Sequence, residues 1–301
     1  EKRYESVTPG ECEAPALLGA VNVAVPGPEG IAAFAAAMCL LFPDPLLPSF
    51  LRYPGKVVDM VASGEYRVLT AVDERGRPAG GIVFFHRTER LVEFYGPYVF
   101  AQGQGGPIAR SLLDAFTSTL ARTKTIGVVS FDAMPAAILG DFEGLGDLDF
   151  VGKDKILTAV PVYYRLLHED PGALVWTEKE LMPFLKQQYD RLVLARDIAV
   201  VKDYGEAVPQ YSIFSADIET VASRATLRPL WPGADMEENI ERHVEILASQ
   251  EILNILFAID LGVPWHARAI GPLLRKGFVP RIVVPFAATS EPALKPNHPN
   301  H

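Results

Sequence analysis

One order of elements is spelled twice along this chain, and that repetition constrains the fold more than any single motif. In the first half, residues 21–25 read as a short strand and Pro28-Glu29 open a helix of small and apolar residues to Phe42. Runs 66–72 and 78–85 flank the polar turn Asp73-Glu74-Arg75-Gly76-Arg77, which predicts a hairpin. A strand at 91–100 follows, then a helix whose Ile108, Leu112, Leu113, Phe116 and Leu120 recur every three to four residues, then a buried-type strand at 126–131. A short helical stretch after Pro135 reaches Phe142, and 150–167 holds one or two more strands.

Asp170-Pro171-Gly172 breaks the pattern and marks a boundary. Beyond it, Thr177 and Glu180 have the spacing of a capping box for a helix through Leu194. Strands are expected at 199–202, 211–218 and 225–230, then a helix carrying Ile240, Val244 and Leu247, a strand at 252–260, a helix at 264–274 and a strand at 278–286. Each half therefore reads helix, antiparallel strands, strand, helix, strand, helix, strand. The expected fold is α/β of the α+β type, with domains at 1–170 and 171–290 and a disordered tail at 291–301.

Composition excludes several classes. At 301 residues, 49% hydrophobic and 22% charged, the chain can bury two ordinary cores. Its net charge of −9, with Lys and Arg scattered, lacks the footprint of a nucleic-acid binder. The apolar stretch 31–42 is too short to cross a bilayer and lacks a signal peptide's flanks. Two cysteines, Cys12 and Cys39, do not make a disulfide framework, so a soluble, cytoplasmic setting is expected.

Both halves contain a strand that runs into a helix N-terminus, where backbone amides can receive an anion. The first junction, Ala101-Gln102-Gly103-Gln104-Gly105-Gly106-Pro107, is uncharged and glycine-rich. The second, Trp231-Pro232-Gly233-Ala234-Asp235-Met236-Glu237-Glu238, brings its own carboxylates, with Asp235 and Glu238 at N-cap and capping-box spacing. Like charge there opposes a phosphate.

The run of hairpin, strand, glycine-rich turn, helix and strand over 66–131, with the ending Leu273-Leu274-Arg275-Lys276-Gly277-Phe278, resembles the GNAT superfamily of acyl-CoA-dependent N-acyltransferases, present as two tandem GNAT-like domains. In that family a splayed central strand and a turn of pattern Arg/Gln-x-x-Gly-x-Gly/Ala hold the pantetheine and pyrophosphate of acetyl-CoA. The first half matches it with Gln104-Gly105-Gly106-Pro107-Ile108-Ala109. The resemblance thus implies acetyl-CoA as co-substrate, bound at Val99, Phe100, Gln104, Gly105, Gly106, Ile108 and Ala109. Pro107 replaces the central glycine and removes one amide donor. The second half, Pro232-Gly233-Ala234-Asp235-Met236-Glu237, has no conventional CoA site on this comparison.

Many family members use a tyrosine after the fifth strand to protonate the departing thiolate. That position falls on Phe142 in the first half and on Leu273 in the second, and neither can donate a proton. The candidate base for an incoming amine is Glu93, an ionisable residue inside an apolar strand, with a solvent-facing strand position as the bland alternative. Tyr95, Tyr98, Tyr163 and Tyr164 offer hydroxyls, though tyrosines in strands are more often packing residues. His266 reads as structural, and no metal site is expected. The leading expectation is an N-acyltransferase acting on a small-molecule or protein amine. Its degenerate second copy would serve as a lid, a substrate wall or a homodimer surface. The alternatives are a catalytically inactive protein that binds a metabolite or protein partner, and a structural scaffold.

Overall fold

The structure, a computed structural model, describes residues 4–7, 19–42, 48–101, 105–202 and 208–288. Among these the chain is mixed α/β, with one mostly antiparallel sheet of seven strands and seven α-helices. Contacts divide it into two compact units: residues 1–146 with 160–168, and residues 147–159 with 169–301.

The first unit begins with β1 (Asn22–Ala24) and α1 (Pro28–Leu41), then a 3-10 turn (Ser49–Arg52) and α2 (Pro54–Ala62). The hairpin is β2 (Arg67–Val72) and β3 (Pro78–His86), followed by β4 (Leu91–Val99), α3 (Gly105–Leu120) and β5 (Gly127–Ser130). A second 3-10 turn (Ala136–Asp141) leads to β6 (Glu143–Val151) and β7 (Leu157–Leu166). The sheet order is β1-β2-β3-β4-β5-β7-β6. β4 and β5, joined through α3, run parallel, whereas the β1–β2, β2–β3, β3–β4 and β5–β7 ladders are antiparallel.

Both faces of this sheet are covered, which explains why β3 and β4 read as nearly continuous apolar runs. Val68, Val83, Tyr98 and Phe100 face α1, whose buried Ile31, Phe34, Ala35, Met38 and Cys39 make a helical stripe. Leu69, Ile82, Phe84, Val92, Phe94 and Val128 face α3, through Ile108, Leu112, Leu113, Phe116 and Leu120. Gly81 lets α1 approach closely, because a Cβ there would lie 2.5 Å from the Phe34 ring. In the β2–β3 turn the Asp73 carboxylate accepts the amides of Arg75 and Arg77 and the Arg77 guanidinium, at 2.9–3.0 Å. Gly76 takes the left-handed conformation (φ 76°) that this turn requires.

The second unit contains a parallel pair, β8 (Ala173–Thr177) and β9 (Arg196–Val200), joined through α4 (Met182–Arg191). It also contains a three-stranded sheet of β10 (Ile213–Glu219), β11 (Arg224–Trp231) and β12 (Asn254–Phe257). α5 (Met236–Ser249) joins β11 to β12 in parallel, and α6 (Pro264–Ala267) and α7 (Ile270–Arg275) follow. The tip of the β6–β7 hairpin belongs to this unit. There the Asn254 side chain accepts the Val151 amide (2.7 Å) and donates to its carbonyl (3.0 Å).

The order β10-β11-α5-β12 repeats the order β3-β4-α3-β5, with an antiparallel pair and then a parallel crossover in each. Other expectations are corrected. Thr177 ends a strand and opens no helix: its carbonyl accepts the Val201 amide (2.9 Å), and α4 starts at Met182. Residues 278–286 form no strand, since Pro280 and Pro285 have no N–H for a ladder. The first of the strands expected over 150–167 begins earlier, at Glu143. The tail at 291–301 lies outside the described residues.

Candidate functional site

The first unit opens along its central strands. β4 and β5 share the register pairs Leu91–Gly127, Val92–Val128 and Glu93–Val129, and part after Glu93. β4 nevertheless stays on β3 as far as Val99 opposite Gly80. Residues 94–99 therefore turn one strand edge toward a gap.

At the parting point β4 carries a bulge. Tyr95 opposes Val83 and Tyr98 opposes Gly81, so three steps of β4 match two of β3. Gly96 absorbs the extra residue with φ 90°, a conformation that favours glycine. Its amide leaves the ladder and donates to Asp132 Oδ2 (3.2 Å), just past β5. The same carboxylate oxygen accepts the hydroxyl of buried Tyr98, while Oδ1 accepts the Ala133 amide (2.9 Å). Asp132 is half-buried.

Glu93 lies on β4 directly before the gap and is 7% exposed, so the solvent-facing alternative does not hold. Arg87 pairs with its Oε2 at 2.5 Å, and the Tyr95 hydroxyl donates to its Oε1 at 3.2 Å. Arg87 also stacks over Phe131, 5.7 Å from the ring centre. Burial raises the Tyr95 phenol well above its ordinary range, and the Glu93 charge adds to the effect. Tyr66 is pushed up to about 12, first by burial and then by the charges of Glu65 and Glu93. These phenols stay neutral and can donate at neutral pH.

β4 leads into the N-terminus of α3. Gly105 and Gly106 open its first turn, and their amides have no acceptor within the helix. Among the described residues, none would lie within 4 Å of a Cβ on Gly105, and a Cβ on Gly106 would meet only Ala137 Cβ at 3.4 Å. The side chains of Ile108 and Ala109 are buried in the core against the sheet, so only their backbone faces the turn. Phe100 packs its ring 5.9 Å from Phe34, in the core under α1, and half-buried Val99 packs against the core under α3. Gln104 lies outside the described residues. Arg110 ties this end of α3 to the following 3-10 turn through Asp141 and the Ala137 carbonyl (2.6 Å).

Phe142 packs against Phe94 (5.8 Å) in the core, at the close of the 3-10 turn. Leu273 is also a core residue. Asp132 and the bulge at Gly96 escaped the reading of the sequence. The available signal was Gly96-Pro97 in mid-strand, followed by an acid immediately after the next strand.

In the second unit β11 shares four pairs with β12, Arg224–Asn254 to Leu227–Phe257, and continues to Trp231 on β10 alone. The space beside the turn into α5 is filled by the chain itself. The Ser212 amide donates to Asp235 Oδ1 (2.5 Å), and Asn239 Nδ2 donates to the carbonyl and hydroxyl oxygens of Ser212 (2.9 Å each). A Cβ on Gly233 would lie 2.1 Å from the Ser212 nitrogen. Asp235 stands at the N-cap, but its carboxylate makes no hydrogen bond to the helix, so the expected capping box is not formed.

Half-buried His266 is held neutral by burial, with Asp260 opposing. Among the described residues no three His, Cys, Asp or Glu side chains gather as a metal site, and no helix is long and apolar enough to cross a membrane.

No family model matches the sequence, and no curated protein matches it. Several solved structures are similar to half of this chain. An N-acetyltransferase from Staphylococcus aureus Mu50 is 16% identical, with 50% of this chain and 100% of that one covered at a TM-score of 0.40. A GNAT-superfamily phosphinothricin acetyltransferase from Sinorhizobium meliloti, in complex with AcCoA, is 17% identical (50% and 89% covered, TM-score 0.40). An aminoglycoside 6'-N-acetyltransferase from Enterococcus faecium is 10% identical (50% and 99% covered, TM-score 0.37). Half of this chain is thus similar to acetyltransferases, members of the GNAT superfamily among them.

Proposed function

We propose that the first unit is an acyl-CoA-dependent N-acyltransferase that moves an acetyl or other acyl group to an amine. The parting of β4 from β5 at the Gly96 bulge carries this reading. It takes the edge of β4 beyond Glu93 off the β5 ladder, where the amide groups of a pantetheine arm can pair. It also aims the Gly96 amide into the gap, where a thioester carbonyl would meet a fixed donor. Beyond this strand the chain enters α3 at Gly105 and Gly106, whose amides suit a pyrophosphate. No metal is needed for this transfer. The chemistry asks for a positioned thioester, a donor for its oxygen and a carboxylate for the amine's proton, with Glu93 and Asp132 both near the gap.

The second unit takes no acyl-CoA on this reading, because Ser212 and its neighbours cover the corresponding turn. A reading as a binding protein without turnover is favoured by Phe142, which has no proton to give. Calorimetric titration with acetyl-CoA, and thiol release from it in the presence of amines, tests the proposal. Saturable binding at one site per chain with thiol release supports it. Binding without release supports the second reading, and no binding removes both in their acyl-CoA form.

A further inference from the structure

The three-stranded sheet of the second unit ends on an open edge. Its order is β10-β11-β12, so β10 pairs with β11 on one side and with no described strand on the other. β10 reads Ile-Phe-Ser-Ala-Asp-Ile-Glu, without the proline or lysine that commonly blunts a natural edge. Ala216 and Asp217 are exposed in mid-strand, and Ile213 (54%) and Ile218 (43%) expose apolar surface nearer its ends. Trp231, opposite Ile213 in the ladder, is 56% exposed, and Tyr211, just before β10, 65%. Phe214 packs into the core with Ile240 and Leu273, so Ala216 and Ile218 share its face while Ser215, Asp217 and Glu219 take the other. On that second face Arg228 of β11 stands directly beside Ser215. Among the described residues neither Arg228 nor Asp217 belongs to an ion pair.

We propose that β10 pairs antiparallel with β10 of a second copy of this chain, about a two-fold axis at Ala216, and so joins the two three-stranded sheets into one. This is the register that pairs all seven residues of the strand. It sets Ser215 opposite Asp217 of the second copy, and by symmetry the reverse. A row across the joint then runs from Arg228 over Ser215 to Asp217 of the second copy. Ser215 is small, so the Arg228 side chain passes over it to the carboxylate, and the two-fold axis makes this pair twice. An acid in the middle of an edge opposes most incoming strands, whereas a second β10 arrives with its own cation beside it. That complementarity names a copy of this chain as the occupant. On the other face Ile218 meets Phe214 of the second copy, and Ala216 meets its own counterpart without bulk. Glu219 falls opposite Ile213, so no like charges stand directly opposed. The joint uses residues of the second unit only and is independent of acyl-CoA chemistry in the first.

Sedimentation equilibrium of the full chain and cysteine cross-linking test the proposal. The wild type is expected to dimerise within the micromolar range. Arg228→Asp sets an acid beside Asp217 of the second copy and is expected to raise the dissociation constant roughly tenfold or more. Combining Arg228→Asp with Asp217→Arg exchanges the two charges and is expected to restore the dimer. Ala216→Cys lies on the axis, where facing Cα atoms are about 4.5–5.5 Å apart, and is expected to form an intermolecular disulfide on mild oxidation. Ser215→Cys is displaced along the strands from its counterpart and is expected to cross-link no more than the wild type. A monomeric wild type, a dimer that Arg228→Asp leaves intact, an exchanged pair that stays monomeric, or cross-linking through Ser215→Cys in place of Ala216→Cys overturns the proposal. Should Arg228→Asp fail to fold, the two cysteine variants decide by the same outcomes.

Discussion

Ser212 donates its backbone amide to Asp235 Oδ1 at 2.5 Å, so the segment entering β10 lies across the turn between β11 and α5. The acid that its position suggests as a helix cap is spent on holding another strand's lead-in. Asp235→Ala is therefore expected to destabilise the fold by about 1–3 kcal/mol, the cost of a buried donor left unpaired, and not by a cap's worth alone. Gly233→Ala should cost at least as much, because its Cβ would fall 2.1 Å from the Ser212 nitrogen. Denaturant midpoints of the two variants check both.

The two strand-to-helix turns should separate in a binding experiment. Gly106→Asp sets a carboxylate on the first turn of α3, where among the described residues only Ala137, at 3.4 Å, comes near its Cβ. It is expected to abolish acetyl-CoA binding while keeping a near-wild-type midpoint. Asp235→Ala should bind as the wild type does. Equal loss in the two variants would reject the assignment.

Asp170 and Arg196 form a buried ion pair in the second unit, at 2.6 Å with side chains 8% and 4% exposed. The guanidinium also packs over Tyr189 and Phe286, 5.6 and 5.0 Å from the ring centres. Removing either charge strands the other in a low-dielectric site. Asp170→Ala is expected to cost about 3–5 kcal/mol, and replacing both residues by apolar ones clearly less than the sum. A double-mutant cycle by chemical denaturation measures this.

Tyr189 gives the alkaline limit a sign. Burial raises its phenol to about 12, with Arg196 opposing, whereas the unfolded chain ionises near the ordinary value of 10.0. Below pH 10 both states are protonated and the full stability is present. Above that the unfolded state loses its proton first, so stability falls as pH rises toward about 12. Tyr66, also held near 12, acts in the same direction. Tyr189→Phe is expected to flatten the decline of the unfolding midpoint over this window, and an unchanged slope would reject the assignment.

Gly81 is needed for α1 to reach the sheet. An added Cβ would lie 2.5 Å from the Phe34 ring and 2.9 Å from the Leu69 carbonyl oxygen. Gly81→Ala is expected to cost about 1–3 kcal/mol from overpacking. Gly105→Ala, whose Cβ would meet none of the described residues within 4 Å, should be tolerated. Thermal midpoints distinguish the two.

The first unit was largely legible in the sequence because its signals are periodic and local. The stripe Ile108, Leu112, Leu113, Phe116, Leu120 and the apolar runs of β3 and β4 follow from burial on one helix face and on both sheet faces. α2 and the turn before it were not read, and Thr177 deceived. A capping residue and a strand's last residue look alike when the partner, here Val201, is distant in the chain.

By itself, then, the sequence determined the order of elements, the covered faces and the hairpin turn built on Asp73, since these depend on neighbours within a few residues. The tertiary structure alone decided what its carboxylates do. Glu93 meets Arg87, Asp132 reaches across the sheet to Gly96, and Asp235 takes Ser212. A carboxylate is satisfied by whichever donor the fold brings within 3 Å or so. For Asp132 and Asp235 those donors stand 36 and 23 residues away in the chain, beyond the reach of any local pattern.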